Sequence, residues 1–245
     1  MWGLPVQASA QAAHLDRITA LVHVLMAAVF VAWGLYFVYV LIRFRRSRQP
    51  AADYHGARGR WSTWSEGAVA AAEVLLLAAF SIPAWASLVN PPADNALVVR
   101  VTAQQFSWTM HYPGPDGEFG RVDMSLIGAE NPSGLDRQSM HARDDVISIS
   151  ELHLPRGRAV IVQLSARDVI HSFGVPVMRV KQDAIPGMMT PVWFTPTVEG
   201  RFDIACSQLC GLGHYRMRGT VVVEAPDAFE RWLRSNQVSS ADATK

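Results

Sequence analysis

The sequence predicts a membrane-anchored all-β protein, in which a two-helix transmembrane hairpin precedes an antiparallel β-sandwich. Three observations carry that expectation: two long apolar runs in the first ninety residues, a cluster of arginines between them, and a series of short β-rich segments from Ala96 onward. Half of the 245 residues are hydrophobic, and the excess is concentrated in the early part of the chain.

Residues 18–42, ITALVHVLMAAVFVAWGLYFVYVLI, hold no formally charged side chain and are long enough to cross a bilayer as a helix. Residues 67–89, GAVAAAEVLLLAAFSIPAWASLV, make a second span with one carboxylate and Pro83 near its far end. Between them, in residues 43–66, lie Arg43, Arg45, Arg46, Arg48, Arg58 and Arg60, whereas the outer flanks carry only Arg17 and Arg100. Basic residues accumulate on the cytoplasmic side, so this loop is predicted to be cytoplasmic. Residues 1–17 and everything after Asn90 are then external, which places the chain in the cell inner (plasma) membrane as a multi-pass protein with its large domain on the periplasmic side. A secretory signal fits less well, because the positive charge follows the first apolar core instead of preceding it.

The segments ALVVRVTA, QFSWTMHY, VISISELHL, RAVIVQLSA, TPVWFTPT, GRFDIAC and GTVVVE are β-rich, several alternate apolar with polar residues, and turn residues bound them. They predict a sandwich over residues 90–226. Residues 113–145, rich in glycine, proline and acidic side chains, read as a long surface excursion between two strands. In residues 227–245, DAFERWLRS has Asp227 at an expected N-cap with Glu230 three places on, predicting a short amphipathic helix followed by a disordered tail. The net charge of +1 and the lack of basic clusters interleaved with aromatics exclude a nucleic-acid partner.

The two cysteines of the chain both fall in CSQLCGLGHYRM, residues 206–217. Two glycines and a preceding strand make this a loop that folds its own side chains inward. A disulfide between Cys206 and Cys210 is one reading in an oxidising compartment, and a zinc site that adds His214 is another. Neither uses Met217. Two thiolates, an imidazole and a thioether favour copper, which accepts a thioether as a weak axial donor. A mononuclear blue-copper site would leave one thiolate over, whereas two thiolates can bridge two coppers if a second histidine is supplied. His171, in DVIHSFGVP directly after a β segment, is the best placed. His111 and His153 lie in or beside strands without a matching loop, His141 sits in the acidic excursion, and His23 falls in the first span.

These motifs together, the two-span hairpin, DVIHSFGVP with KQDAIPG after it, and C-x3-C-x3-H-x2-M, resemble subunit II of haem-copper cytochrome c oxidases over nearly the whole chain. The resemblance implies a cupredoxin-like sandwich carrying a binuclear copper A centre. In it Cys206 and Cys210 bridge, His171 and His214 are the terminal imidazoles, Met217 is a weak ligand of one copper and the Gln208 backbone carbonyl a ligand of the other. It implies electron transfer from cytochrome c, or a similar periplasmic donor, to haem in subunit I, where oxygen is reduced to water with proton pumping. Other oxidase subunits are implied as partners.

Family members often have glutamate where this chain has Gln208; its neutral side chain still offers an oxygen to the magnesium expected at the subunit I interface. Phe106 replaces the tryptophan of electron entry, and Phe106 with Trp108, two apart, are expected to share one exposed face. Asp168, three residues before His171, is implied in donor docking, with Asp116, Glu118 and Asp123 of the excursion beside it. Glu66 and Glu73 fall on one helix face, and the resemblance implies proton entry at Glu66. A quinol oxidase subunit would lack the copper ligands; an independent membrane-anchored copper electron carrier would share them.

Overall fold

The structure, a computed structural model, describes residues 3–51, 54–55, 59–92 and 94–237. Arg58 of the arginine-rich loop and the tail from 238 onward, expected to be disordered, lie outside the described residues. The chain divides into two compact units: His14–Leu88, and Met1–Ala13 together with Val89–Lys245.

The first unit is built on two helices, α1 (Ala12–Arg43) and α2 (Arg60–Val89), both long and apolar enough to cross a membrane. Each extends beyond the apolar run read from sequence, because helical hydrogen bonding continues into the polar flanks where composition gives no signal. Within α2, Leu77–Ser81 form a π-helical turn in which the Ile82 N–H reaches the Leu77 carbonyl. That wide turn stands just before Pro83, whose ring would otherwise crowd the carbonyl four residues back. Among the side chains of α2, Glu66 accepts a hydrogen bond from Ser62 Oγ at 2.8 Å, one turn earlier. Glu73 instead lines an apolar groove of this unit with Phe30 and Trp33.

The second unit is a sandwich of two five-stranded sheets. Its strands are β1 (Leu97–Gln104), β2 (Ser107–Tyr112), β3 (Val146–Ile149), β4 (Glu151–Pro155), β5 (Val160–Ala166), β6 (His171–Val175), β7 (Val180–Ala184), β8 (Thr190–Phe194), β9 (Gly200–Cys206) and β10 (Arg218–Glu224). One sheet runs β3-β2-β1-β5-β8 and the other β4-β10-β9-β6-β7. The sheets are mixed, not purely antiparallel: β1 with β5 and β4 with β10 pair in parallel. Alternation is clean on β1 and β5, which turn Val99, Val101, Val162 and Leu164 into the core between the sheets.

VISISELHL, a single segment by pattern, is divided between the sheets. Ser150, in the left-handed region at φ 57, turns the chain there. Its N–H bonds to the Trp108 carbonyl in one sheet and its carbonyl accepts from the Thr220 N–H in the other, at 2.7 and 2.8 Å. The short helix spans Pro226–Ser235 and starts with Pro226 in its first turn; no side chain caps it, so Asp227 is not the N-cap. Phe229 is buried, and Trp232 stacks on His153 with ring centroids 3.9 Å apart.

The segment before α1 belongs to the sandwich. Ala8 donates to the Val177 carbonyl and accepts from the Thr197 N–H, both at 2.9 Å, and lies in the core. Ser9 Oγ donates to the Met178 carbonyl at 2.7 Å, and Arg179 Nη2 donates to the Pro5 carbonyl at 2.7 Å. The excursion 113–145 is also tied down. Asp145, fully buried, accepts from His111 Nε2 at 2.6 Å and from the N–H groups of Gly114 and Gly120 at 3.2 and 2.8 Å.

Candidate metal centre

At one end of the second sheet β6 begins with His171 and β9 ends with Cys206, and their pairing sets Phe173 opposite Cys206. The loop from Ser207 to Met217 then returns the chain to β10, with Arg218 opposite Ala205. The Cys206 N–H reaches the Met217 carbonyl at 3.3 Å, which closes the base of the loop and brings the two sulfur-bearing residues together.

Both cysteines are free, Cys210 buried and Cys206 half-buried. Their sulfurs stand 3.8 Å apart. His171 Nδ1 lies 4.0 Å from Cys206 Sγ, and His214 Nδ1 lies 3.6 Å from Cys210 Sγ. Met217 Sδ is 3.7 Å from Cys210 Sγ, and the Gln208 carbonyl oxygen is 3.1 Å from Cys206 Sγ. Two metal–sulfur bonds of about 2.3 Å reach at most ~4.6 Å across one ion, and a sulfur and an imidazole reach ~4.3 Å. Each of the short separations therefore fits a pair of donors on a shared metal. His171, Cys206 and Cys210 also bring their donor atoms within 4.8 Å of one another. Burial, the Cys206 thiol hydrogen-bonded to it and that neighbour's charge push the Cys210 thiol up to about 11. Ligation of a metal by this thiol would displace its proton.

Asp168 holds His171 from the other side. Its Oδ1 accepts from His171 Nε2 at 2.8 Å and from the Val169 N–H at 2.7 Å, and its Oδ2 accepts from the Gln105 N–H at 2.7 Å. Burial pushes its carboxyl up, but the hydrogen bonds from Gln105, His171 and Val169 outweigh it and hold the group below the ordinary aspartate value. Both carboxylate oxygens are thus engaged within the protein, which the docking expectation did not foresee.

The shared exposed face expected of Phe106 and Trp108 is not formed. Gln104 pairs with Ser107, so Gln105 and Phe106 are the two-residue turn of a hairpin and only Trp108 lies within β2. Alternation holds inside a strand and fails across its turn. Phe106 is half-buried at the tip, with the Arg216 guanidinium 5.7 Å from its ring centre. Trp108 is fully buried and packs edge-on to His171 and Phe173, at centroid distances of 6.3 and 5.7 Å. It is a wall behind the histidine, not a surface group. Gln208 is exposed, as are Leu209, Leu212 and Tyr215, which give the ligand loop an apolar outer surface. In the excursion, Asp116 pairs with His141 at 2.8 Å and Asp123 caps Ser125, while Glu118 donates its N–H to Asp116. Gln105, absent from the sequence-based site, donates from Nε2 to the Cys210 carbonyl at 2.6 Å. Its position directly before Phe106 in the sequence was the only signal available.

Residues 97–225 match the family described as cytochrome c oxidase subunit II, periplasmic domain. The chain is 38% identical over 210 residues to the alternative cytochrome c oxidase subunit 2 of Bradyrhizobium diazoefficiens, covering 85% of this chain and 75% of that one. It is 30% identical over 247 residues to cytochrome c oxidase subunit 2 of Cereibacter sphaeroides, covering 94% and 78%. A solved structure of the periplasmic domain of subunit II of cytochrome oxidase (CoxB) of Bradyrhizobium japonicum is 30% identical; the match covers 60% of this chain and 95% of that one, at a TM-score of 0.44. The match of residues 97–225 to the family and the identity to the two relatives lead to one assignment: the chain belongs to the cytochrome c oxidase subunit II family, subunits of a haem-copper oxidoreductase.

Proposed function

We propose that this chain carries a binuclear copper A centre, accepts electrons there from cytochrome c or a similar periplasmic donor, and passes them to haem in subunit I of the oxidase, where oxygen is reduced to water with proton pumping. The observation that supports it most is the pair of sulfurs 3.8 Å apart with a different imidazole against each. Cys206 and Cys210 would bridge, His171 and His214 terminate the set, and Met217 and the Gln208 carbonyl serve as weak ligands. A thiolate-bridged copper pair supplies one-electron exchange with little change in geometry, because the electron is spread over both metals and both sulfurs.

The protein's own contribution is rigidity and dryness. His171 and Met217 are buried, and the Trp108 ring stands beside His171, so water has little part in the reorganisation that accompanies electron transfer. Phe106, at the tip of the β1–β2 hairpin, and the exposed Leu209, Leu212 and Tyr215 offer partners an apolar surface next to the ligands. In this reading α1 and α2 anchor the chain in the inner membrane beside subunit I, with the sandwich on the periplasmic side. Glu66 then sits near the cytoplasmic start of α2 as a proton entry, and Gln208 faces magnesium at the subunit boundary.

The test is mild purification of the membrane complex with haem spectra and copper counting. Two coppers per chain sharing one unpaired electron, co-purifying with haem, is the expected result. One tightly held zinc, or a Cys206–Cys210 disulfide in the mature complex, overturns the reading. Met217→Leu should keep copper and shift its potential, since the thioether would be a weak donor to the metal. An unchanged potential removes Met217 from the ligand set.

A further inference from the structure

We propose that the turn between β1 and β2 is a brace for the metal centre, and that Asp168 and Gln105 are its positioning residues. The inference rests on the copper reading above for its functional meaning, but the brace itself is a matter of contacts. A single residue of the turn, Gln105, reaches both arms of the ligand set. Its backbone N–H donates to Asp168 Oδ2 at 2.7 Å, and Asp168 Oδ1 in turn holds His171 Nε2 at 2.8 Å. Its side chain donates from Nε2 to the Cys210 carbonyl at 2.6 Å. His171 comes from β6 and Cys210 from the loop after β9, so neither strand pairing alone fixes one against the other.

The carboxylate also selects the form of the imidazole. An ionised aspartate only accepts, so the proton of a neutral His171 ring sits on Nε2 and the Nδ1 lone pair is left facing Cys206 Sγ. Asparagine at 168 would break this arrangement in either orientation. With its oxygen toward His171, its NH2 meets the Gln105 N–H, donor against donor; flipped, it meets the His171 N–H.

The glycines of the loop give independent support. A Cβ at Gly211, where φ is +131, would come within 2.6 Å of Gln105 Nε2, and one at Gly213 within 2.5 Å of the Phe106 ring. The spacing C-G-L-G-H therefore leaves room for the turn to seat directly on the ligand loop. Phe106 then has a packing role beside any part it takes in electron entry.

On this reading the Asp168 charge acts on the metal, not on an approaching donor. In the full-length complex, Asp168→Asn should retain copper at saturation, lower its affinity in chelator competition by about 10-fold or more, and make the centre easier to reduce. The salt dependence of reduction by the donor should stay at the wild-type level. Asp116→Asn, which removes the same charge from the excursion, should leave affinity and potential unchanged. The brace is overturned if Asp168→Asn leaves affinity and potential alone but slows donor reduction at low salt, the behaviour of a docking charge. Gln105→Ala should speed backbone hydrogen exchange over residues 206–213 in the metal-free chain; unchanged exchange also overturns it. Copper content of the wild-type complex tests the metal reading separately, and the metal-free exchange decides the brace even if that reading falls.

Discussion

Two buried histidines of the sandwich are each bonded through Nε2 to an aspartate, His171 to Asp168 at 2.8 Å and His111 to Asp145 at 2.6 Å. The pairs look alike up to that bond and differ beyond it. The other nitrogen of His171 faces sulfur, with Cys206 and Cys210 gathered in front of it. The ring of His111 instead packs in a T-shaped contact with Phe119 at a centroid distance of 5.0 Å, and Phe119 is covered in turn by the Arg100 guanidinium 4.0 Å from its centre. Asp145 spends its remaining capacity on the N–H groups of Gly114 and Gly120, at the root of the excursion. A histidine–aspartate pair is therefore not a metal-site signature in itself. It orients a ring, and what the ring then faces, soft donors at His171 or an aromatic ring at His111, sets the two apart.

The sharpest way to break this comparison is to exchange the consequences of damage at the two places. On the copper reading, Cys210→Ser should abolish the two-copper spectrum altogether, because a serine oxygen would not replace a thiolate there. His111→Leu should leave copper content at the wild-type level. Copper loss in His111→Leu would mean that the two sites are coupled and the contrast is wrong.

A smaller effect is expected on stability. His111→Leu strands a buried carboxylate that keeps only its backbone donors, which should cost about 3 kcal/mol. Thermal unfolding of the detergent-solubilised chain reads it, and protease cleavage within 113–145 should accelerate in parallel. If unfolding is unchanged, Asp145 does not anchor the excursion.

The smallest effect belongs to the exposed pair Asp116–His141. Asp116 is lowered by the Glu118 N–H first and by His141 second, and His141 is raised by its hydrogen bond to Asp116. The His141 contribution is complete below its unfolded value and lost as pH rises through its raised folded value. The Asp116 contribution is lost as pH falls through its lowered one. His141→Ala should thus lower the unfolding temperature slightly between those limits and not at all in alkali. Solvent screening keeps the effect small, and a loss that persists in alkali would assign it to packing instead.

Much of the architecture was legible because it is written in periodicity. The apolar runs gave both long helices, and the alternation of β1 and β5 gave the sandwich. β6 escaped this logic, since every one of its residues is buried and no alternation remains. β7 escaped it because Lys181, Gln182 and Asp183 look like loop. At the centre, the soft donors were legible in CSQLCGLGHYRM because their chemistry is local to one loop. Asp168 was singled out for its charge, but its orientation depends on Gln105, which lies 63 residues away in sequence. Trp108 was misplaced because a two-residue turn resets the alternation between it and Phe106.

The short stretch ahead of α1 has a consequence for how the molecule is made. Ser9 bonds to Met178 across 169 positions of sequence, and the Thr195 N–H bonds to the Gln11 side chain across 184. Contacts that distant form late and slowly. The place that Ala8 fills stays open until both apolar helices and the chain through Thr197 have been synthesised. In a membrane this means emergence on the same side as residues 5–11. Final closure of the sandwich would therefore double as a checkpoint on helix insertion: a chain in which only one of the two helices crosses leaves the two ends of the seal on opposite sides of the bilayer.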